Sequence, residues 1–193
     1  MKNTVKYLGL ALLTSSALTL SPLAFAEESS TVETSTEQAA TEQSAVISFE
    51  DALKVYKEKY PDTDLESVKL KQDKGRWIYD FDGIDDMSEY SLKIDAETKE
   101  IIKEKVKELD KDEQNGVERE KEKINLDGIV SKEEAEKIAK EEAGADAGEI
   151  EKWELDRDGE LTVWEIKFKN AGTETKVKID AHDKKVLKVD LDD

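Results

Sequence analysis

No cysteine occurs anywhere in the 193 residues. That excludes a disulfide framework, a thiol nucleophile and lipid anchoring through a thiol, and leaves stability to packing alone. There is a single histidine, His182, so no pair of imidazoles is present for a zinc site. Glycine and proline are sparse, and neither a Gly-rich phosphate loop nor a nucleophile elbow is found. The chain also lacks a basic surplus, which disfavours nucleic acid and anionic lipid surfaces as bulk partners. Long apolar runs are missing after the N-terminus. The run from Leu8 to Leu20 is shorter than the roughly 20 residues that cross a bilayer core.

The N-terminus reads as a secretory signal peptide over residues 1–26: Lys2 and Lys6, the apolar run, then Ser21, Pro22 and the small-x-small triplet Ala24, Phe25, Ala26. Cleavage after Ala26 removes two Lys and no acid. The remaining 48 acidic residues then face 28 basic ones, a formal charge of −20. Such a charge favours solubility, a monomeric state, and cations or basic proteins as partners. Val189–Asp193 carries neither a hydrophobic tail nor a wall-sorting pattern, so the expected product is released or held only by its partners. Residues 27–46, rich in Ser, Thr, Glu and Gln and without periodicity, read as a disordered tether.

Beyond the tether, residues 47–110 and 130–193 align as two versions of one pattern, joined by a charged linker over 111–129. Each opens with a capping box, Ser48-x-x-Asp51 or Ser131-x-x-Glu134. A helix follows. Phe49, Ala52, Leu53, Tyr56 and Tyr60 share one face until Pro61, and Ala135, Ile138, Ala139 and Ala143 do so until Gly144. The period then changes to two. Val68 and Leu70 lead through Lys74-Gly75 to Trp77, Tyr79 and Phe81, while Trp153 and Leu155 lead through Asp158-Gly159 to Trp164, Ile166 and Phe168. Third and fourth strands follow, through Ile94 and Ile101 or Ile179 and Val186. The alignment sets Trp77, Tyr79 and Phe81 against Trp164, Ile166 and Phe168. The expected fold is α+β: two tandem repeats, each one helix packed on a small antiparallel sheet of three to four strands. Nothing in Lys103–Lys123 asks for burial.

On these residues each unit resembles a PepSY domain, the small module of thermolysin-type peptidase propeptides. Ser131-Lys-Glu-Glu-Ala135, Trp164-Glu-Ile166-Lys-Phe168 and Val177-Lys-Ile179-Asp180-Ala181 carry it in the second unit. Phe49-Glu-Asp-Ala52-Leu53, Trp77-Ile-Tyr79-Asp-Phe81 and Leu92-Lys-Ile94-Asp95-Ala96 carry it in the first. The family closes its last hairpin with Gly, where this chain has Lys99 and Lys184. A left-handed turn there costs Lys on the order of 1 kcal/mol, so a different turn or compensation by Asp and Lys side chains is expected. The resemblance implies a secreted, non-enzymatic modulator or inhibitor of extracellular or envelope peptidase activity, acting by protein contact.

The residues leave two rival readings, an acidic binding module for divalent cations or cationic cell-envelope components, and a passive structural spacer. No catalytic residue and no cofactor site is expected. His182 falls in the turn Asp180-Ala181-His182-Asp183 and reads as a solvated turn residue. Asp80, Asp82, Asp85 and Asp86 are the better candidates for weak Ca²⁺ binding. Asp156, Asp158 and Glu160 form a second oxygen-rich stretch, but Asp-Gly at a hairpin turn explains both more simply than a metal loop. Trp77, Tyr79, Phe81, Trp153, Trp164 and Phe168 alternate with polar residues and read as core before ligand platform; a peptide would dock at an exposed face or sheet edge.

Overall fold

The computed structural model describes residues 46–192; the expected signal peptide over 1–26, the expected tether up to residue 45 and Asp193 lie outside the described residues. The element order is α1 (Phe49–Lys59), β1 (Asp64–Asp73), β2 (Arg76–Ile84), β3 (Ser88–Asp95), β4 (Ile101–Glu108), α2 (Val117–Glu122), α3 (Lys132–Ala143), β5 (Glu149–Asp158), β6 (Leu161–Asn170), β7 (Thr173–Asp180) and β8 (Val186–Asp192). The α+β repeats are as expected, one helix packed on four antiparallel strands, twice. The serine half of each capping box forms, while the acids Asp51 and Glu134 turn to Lys99 and Lys184. The Ser48 hydroxyl accepts the Asp51 N–H at 3.1 Å and Ser131 accepts that of Glu134 at 3.2 Å. The Lys74-Gly75 turn has positive φ at both residues, 51° and 81°, the conformation whose twist suits a two-residue hairpin.

The two repeats share one sheet. Its order is β4-β3-β2-β1-β5-β6-β7-β8, with β1 and β5 antiparallel across the seam. Val68 faces Leu155, Lys69 faces Glu154 and Leu70 faces Trp153. One core serves both repeats: Phe49 and Tyr56 of α1, Ala135 and Ala139 of α3 and the apolar strand faces form a single cluster. Phe49 of the first repeat meets Trp164 of the second edge-on, with centroids 6.0 Å apart, and Trp77 meets Trp153 at 5.1 Å. A small module poor in apolar residues thus doubles its core by sharing it.

Strand registers correct the internal alignment by two residues. Tyr79 pairs with Ile94 as Trp164 pairs with Ile179, and Phe81 pairs with Leu92 as Ile166 pairs with Val177. Tyr79 is therefore the counterpart of Trp164, Phe81 of Ile166, Gly83 of Phe168 and Trp77 of Thr162. Polar atoms agree. Tyr79 Oη donates to the Ile47 carbonyl at 3.0 Å and Trp164 Nε1 to the Val130 carbonyl at 3.1 Å, each one residue before a cap serine. A shift of two keeps every side chain on its face of the pleat, so alternation alone could not reveal it. Both repeats bulge at the same places, between Leu65 and Ser67 and between Ile150 and Lys152.

The linker also differs from expectation. Leu109 and Ile124 are buried, and the Ile124 N–H donates to the Leu65 carbonyl at 2.8 Å. Arg119 of α2 holds Asp64 at 2.8 Å and Asp86 at 3.0 Å. Isolated apolar residues in a charged run show no periodicity, so the sequence pattern carries no sign of their burial.

Candidate functional site

The helices cover one face of the sheet. The other carries a mesh of charge. Asp80 accepts from Lys71 at 3.3 Å and Lys93 at 2.8 Å, Asp82 from Ser67 at 3.2 Å and Ser91 at 2.9 Å. Across the seam Lys69 meets Glu154 at 3.1 Å, and Lys152 joins both Glu154 and Glu165. Pairing of this kind gives a polar surface in which most charges already have a partner.

The four Ca²⁺ candidates are engaged separately. Asp80 and Asp82 sit in that mesh. Asp85 accepts the N–H groups of Met87 and Ser88 at 2.7 and 2.8 Å and the Tyr90 hydroxyl at 2.6 Å, so its carboxyl stays below the usual range despite burial. Asp86 pairs with Arg119. Among the described residues no group of three or more acids or histidines gathers as a cation would need. In the second stretch Asp158 pairs with Lys178 at 2.9 Å, and Gly159 takes the turn of the β5–β6 hairpin with φ of 65°.

Two carboxyls stand apart. Burial, then the nearby Glu89 and Asp82, push Glu66 up to about 7. Burial, then Glu154, push Asp156 up to about 6, and its buried Oδ1 meets no donor among the described residues. Glu66 is the bulged residue of β1; its counterpart Glu151 is instead kept low by Lys167, against some burial. Sequence spacing carries no signal for either, because a bulge and the charges on neighbouring strands decide them.

The six aromatics singled out from the sequence part into two groups. Tyr79, Phe81, Trp164 and Phe168 are buried in the core. Trp77 and Trp153 come together at the seam, where α3 and residues 46–48 border a groove of ≈ 750 Å³ on the helix side. Leu70, Ile150, Val46 and Ile47 complete its apolar lining. Lys132 lies 4.5 Å above the Trp153 ring, and Trp153 Nε1 is buried without an acceptor among the described residues. An indole N–H in that state costs free energy until something accepts from it. His182 is exposed in its turn, with its backbone N–H bonded to Asp180 Oδ1 at 2.8 Å.

The last hairpins resolve the question posed by Lys99 and Lys184. Both are left-handed, with φ of 64° and 61°. Asp95 Oδ1 accepts the N–H groups of Glu97 and Thr98, both at 3.0 Å, and Asp180 Oδ1 those of His182 and Asp183 at 2.8 and 3.0 Å. The lysine ammonium groups then reach the acid of each capping box, Lys99 to Asp51 at 2.8 Å and Lys184 to Glu134 at 2.6 Å. The Gly turn is kept without Gly, and each lysine ties its hairpin to its helix N-terminus.

No curated protein matches the chain. Among solved structures, the crystal structure of a candidate lipoprotein from Clostridium difficile 630 at 1.85 Å is similar, with 34% identity, a TM-score of 0.71, and coverage of 78% of this chain and 97% of that one. The profile of PepSY, the peptidase propeptide and YPEB domain, matches residues 46–105 and 129–190, one match for each helix with its four strands. The chain belongs to the PepSY family, with two copies of the domain fused through one sheet.

Proposed function

We propose that this protein is secreted after cleavage following Ala26 and modulates the activity of an extracellular or envelope peptidase by protein contact, with no chemistry of its own. The observation that carries this reading is the pair of PepSY matches, a family described as peptidase propeptide and YPEB domain, on a chain for which neither comparison indicates a catalytic family. The similarity to a candidate lipoprotein supports an extracytoplasmic site of action. Among the described residues no helix is long and apolar enough to cross a membrane. The exposed strands β4 and β8, with Ile102, Val106, Val189 and Leu191 uncovered, and the seam groove offer surfaces for such contact.

The test adds the chain from Glu27 onward to the secreted peptidases of its own host and follows substrate hydrolysis and autoprocessing. A saturable change in either, indifferent to a Ca²⁺ chelator, is expected. Unchanged rates at excess protein reject the reading, and an effect abolished by the chelator transfers it to cation binding.

A further inference from the structure

The symmetry that sets β1 against β5 also makes two seats for a chain segment. One of them is filled by the linker. The Ile124 N–H donates to the Leu65 carbonyl at 2.8 Å, the Asn125 N–H to Thr162 Oγ1 at 3.2 Å, and the Arg157 guanidinium to the Lys123 carbonyl at 3.2 Å. Ile124 is buried there and Leu126 half-buried, both against the common core. Lys57 of α1 borders the same seat. The strand registers carry Leu65 onto Ile150, Thr162 onto Trp77 and Arg157 onto Gln72, and the aligned cap serines carry Lys57 onto Lys140. All four counterparts line the seam groove, which is therefore the second seat.

The chain enters both repeats in the same way, since the Ile47 N–H donates to the Ala96 carbonyl and the Val130 N–H to the Ala181 carbonyl, each at 2.7 Å. Counted back from the cap serines, Ile124 and Leu126 correspond to Thr41 and Gln43. Neither offers the aliphatic surface that holds the linker in its seat. The seam groove nevertheless has an apolar floor. Trp77 stands where Thr162 does in the filled seat, and with Lys132 lying over the Trp153 ring the open part of that floor is Trp77 and Ile150, both half-buried.

We infer that the seam groove binds a segment of a partner protein carrying two aliphatic side chains spaced as Ile124 and Leu126 are. The first aliphatic side chain rests on Ile150 and Trp77. A main-chain N–H of the segment donates to the Ile150 carbonyl, as Ile124 does to Leu65, and the Gln72 amide reaches a segment carbonyl where Arg157 holds that of Lys123. The occupant is read from the segment already seated in the matching groove, and a volume of ≈ 750 Å³ suits a few residues of this kind. The inference deepens the protein-contact reading and rests on it for the identity of the partner.

The probe is a synthetic peptide of this chain's own residues 121–130, which span the seated segment. Its control carries Ile124→Thr and Leu126→Gln, the residues found at 41 and 43. Each is titrated into the ¹⁵N-labelled chain from Glu27 onward, followed by amide shifts and tryptophan fluorescence. The probe should bind saturably, with shifts at Gln72, Trp77 and Ile150, and the control should bind at least about tenfold more weakly for want of two aliphatic side chains. Thr41→Ile with Gln43→Leu gives the chain a tethered competitor outside the folded core, and should weaken the probe about tenfold or more.

Equal binding of probe and control, or no binding of either, overturns the inference. Shifts confined to Leu65, Arg157 and Thr162 do so too, because the probe would then be displacing the linker from its own seat. A probe that binds only after residues 27–45 are removed assigns the groove to the chain's own N-terminal segment, and one held as tightly by the Thr41→Ile, Gln43→Leu chain binds elsewhere; both overturn it. If the probe binds as expected while no peptidase responds to the protein, the groove stands and the peptidase reading falls. If a peptidase responds and the probe does not bind, the peptidase reading stands and the groove falls.

Discussion

Lys69 and Glu154 face each other at 3.1 Å on the pseudo-twofold axis that relates the two repeats. They occupy the same position of the pattern, since Leu70 and Leu155, one residue further, pair with the equivalent Tyr79 and Trp164. In a symmetric pair of identical repeats this residue would meet its own copy, charge against like charge. Duplication within one chain lets the two diverge into an ion pair. Burial disfavours both charges, yet Lys152 and Lys69 hold the Glu154 carboxyl below its ordinary range, and Glu154 raises the Lys69 ammonium.

Glu154→Lys restores the like-charge meeting and sets three lysines, 69, 152 and 154, side by side. With Glu154 largely buried, the cost should be about 2–3 kcal/mol, below the range for breaking a fully buried pair. Lys69→Glu added to it should recover a good part of the loss. Urea denaturation of the parent, both single variants and the double variant gives the coupling. Strict additivity would show that the axis pair contributes nothing.

The individual repeats are legible in the sequence because capping boxes, helical stripes ending at Pro61 and Gly144, and alternation through Tyr79 and Trp164 are local signals. Their fusion is not. Val68 to Leu70 and Trp153 to Leu155 read as ordinary half-buried strands whether they are edges or neighbours, so nothing local states that β1 pairs with β5. The candidate site suffers most from this. Trp77 and Trp153 are visible as aromatics, but the groove exists only because the distant strands β1 and β5 meet beside α3.

Replacing Lys184 separates turn strain from ion pairing. Lys184→Gly loses an exposed ion pair, worth at most about 1 kcal/mol, and gains the left-handed freedom that Lys lacks, so stability should change little. Lys184→Ala loses the pair and keeps the strain. The Ala variant should be the less stable of the two by about 1 kcal/mol in thermal or urea unfolding. Equal stability would mean that the turn abandons φ of 61° when the lysine is gone.

Stability should rise as pH falls from 8 towards 5. Glu66 and Asp156, pushed up to about 7 and about 6 by burial, bind more protons folded than unfolded over that interval. Their contribution is therefore complete below the unfolded values near 4 and lost as pH rises through 6 to 7. Because both groups are partly solvated, the discounted sum is about 1–2 kcal/mol, a few degrees of melting temperature. Below pH 4 the trend reverses, since N–H donors of the following turns hold Asp95 and Asp180 below the ordinary range and protonation forfeits those bonds. Melting curves of the parent and of Glu66→Gln with Asp156→Asn test this. The double variant should be the more stable at pH 8 and should lose the slope between 5 and 8; an unaltered slope would place the titrating groups elsewhere.

Helix and sheet exchange volume between the two repeats. Tyr56 of α1 is fully buried, and a Cβ at Gly83 would lie 2.0 Å from its hydroxyl and 2.7 Å from the Asp64 carbonyl. At the equivalent positions of the second repeat stand Ala139, fully buried, and Phe168, 1% exposed. The large residue lies on the helix in one repeat and on the sheet in the other, as close packing of a common interface requires. Tyr56→Ala alone should cost about 3–5 kcal/mol for the cavity, with the Thr63 hydroxyl left only its bond to the Tyr60 carbonyl. Gly83→Phe alone forces Tyr56 out and should unfold the repeat or cost at least as much. Together the two changes copy the second repeat into the first but relieve only the clash with the Tyr56 hydroxyl and not that with the Asp64 carbonyl, so the double variant should recover only part of the loss, measured by urea denaturation against both single variants. A double variant no better than the sum of its parts would mean that the backbone separation of helix and strand, and not side-chain volume alone, distinguishes the repeats.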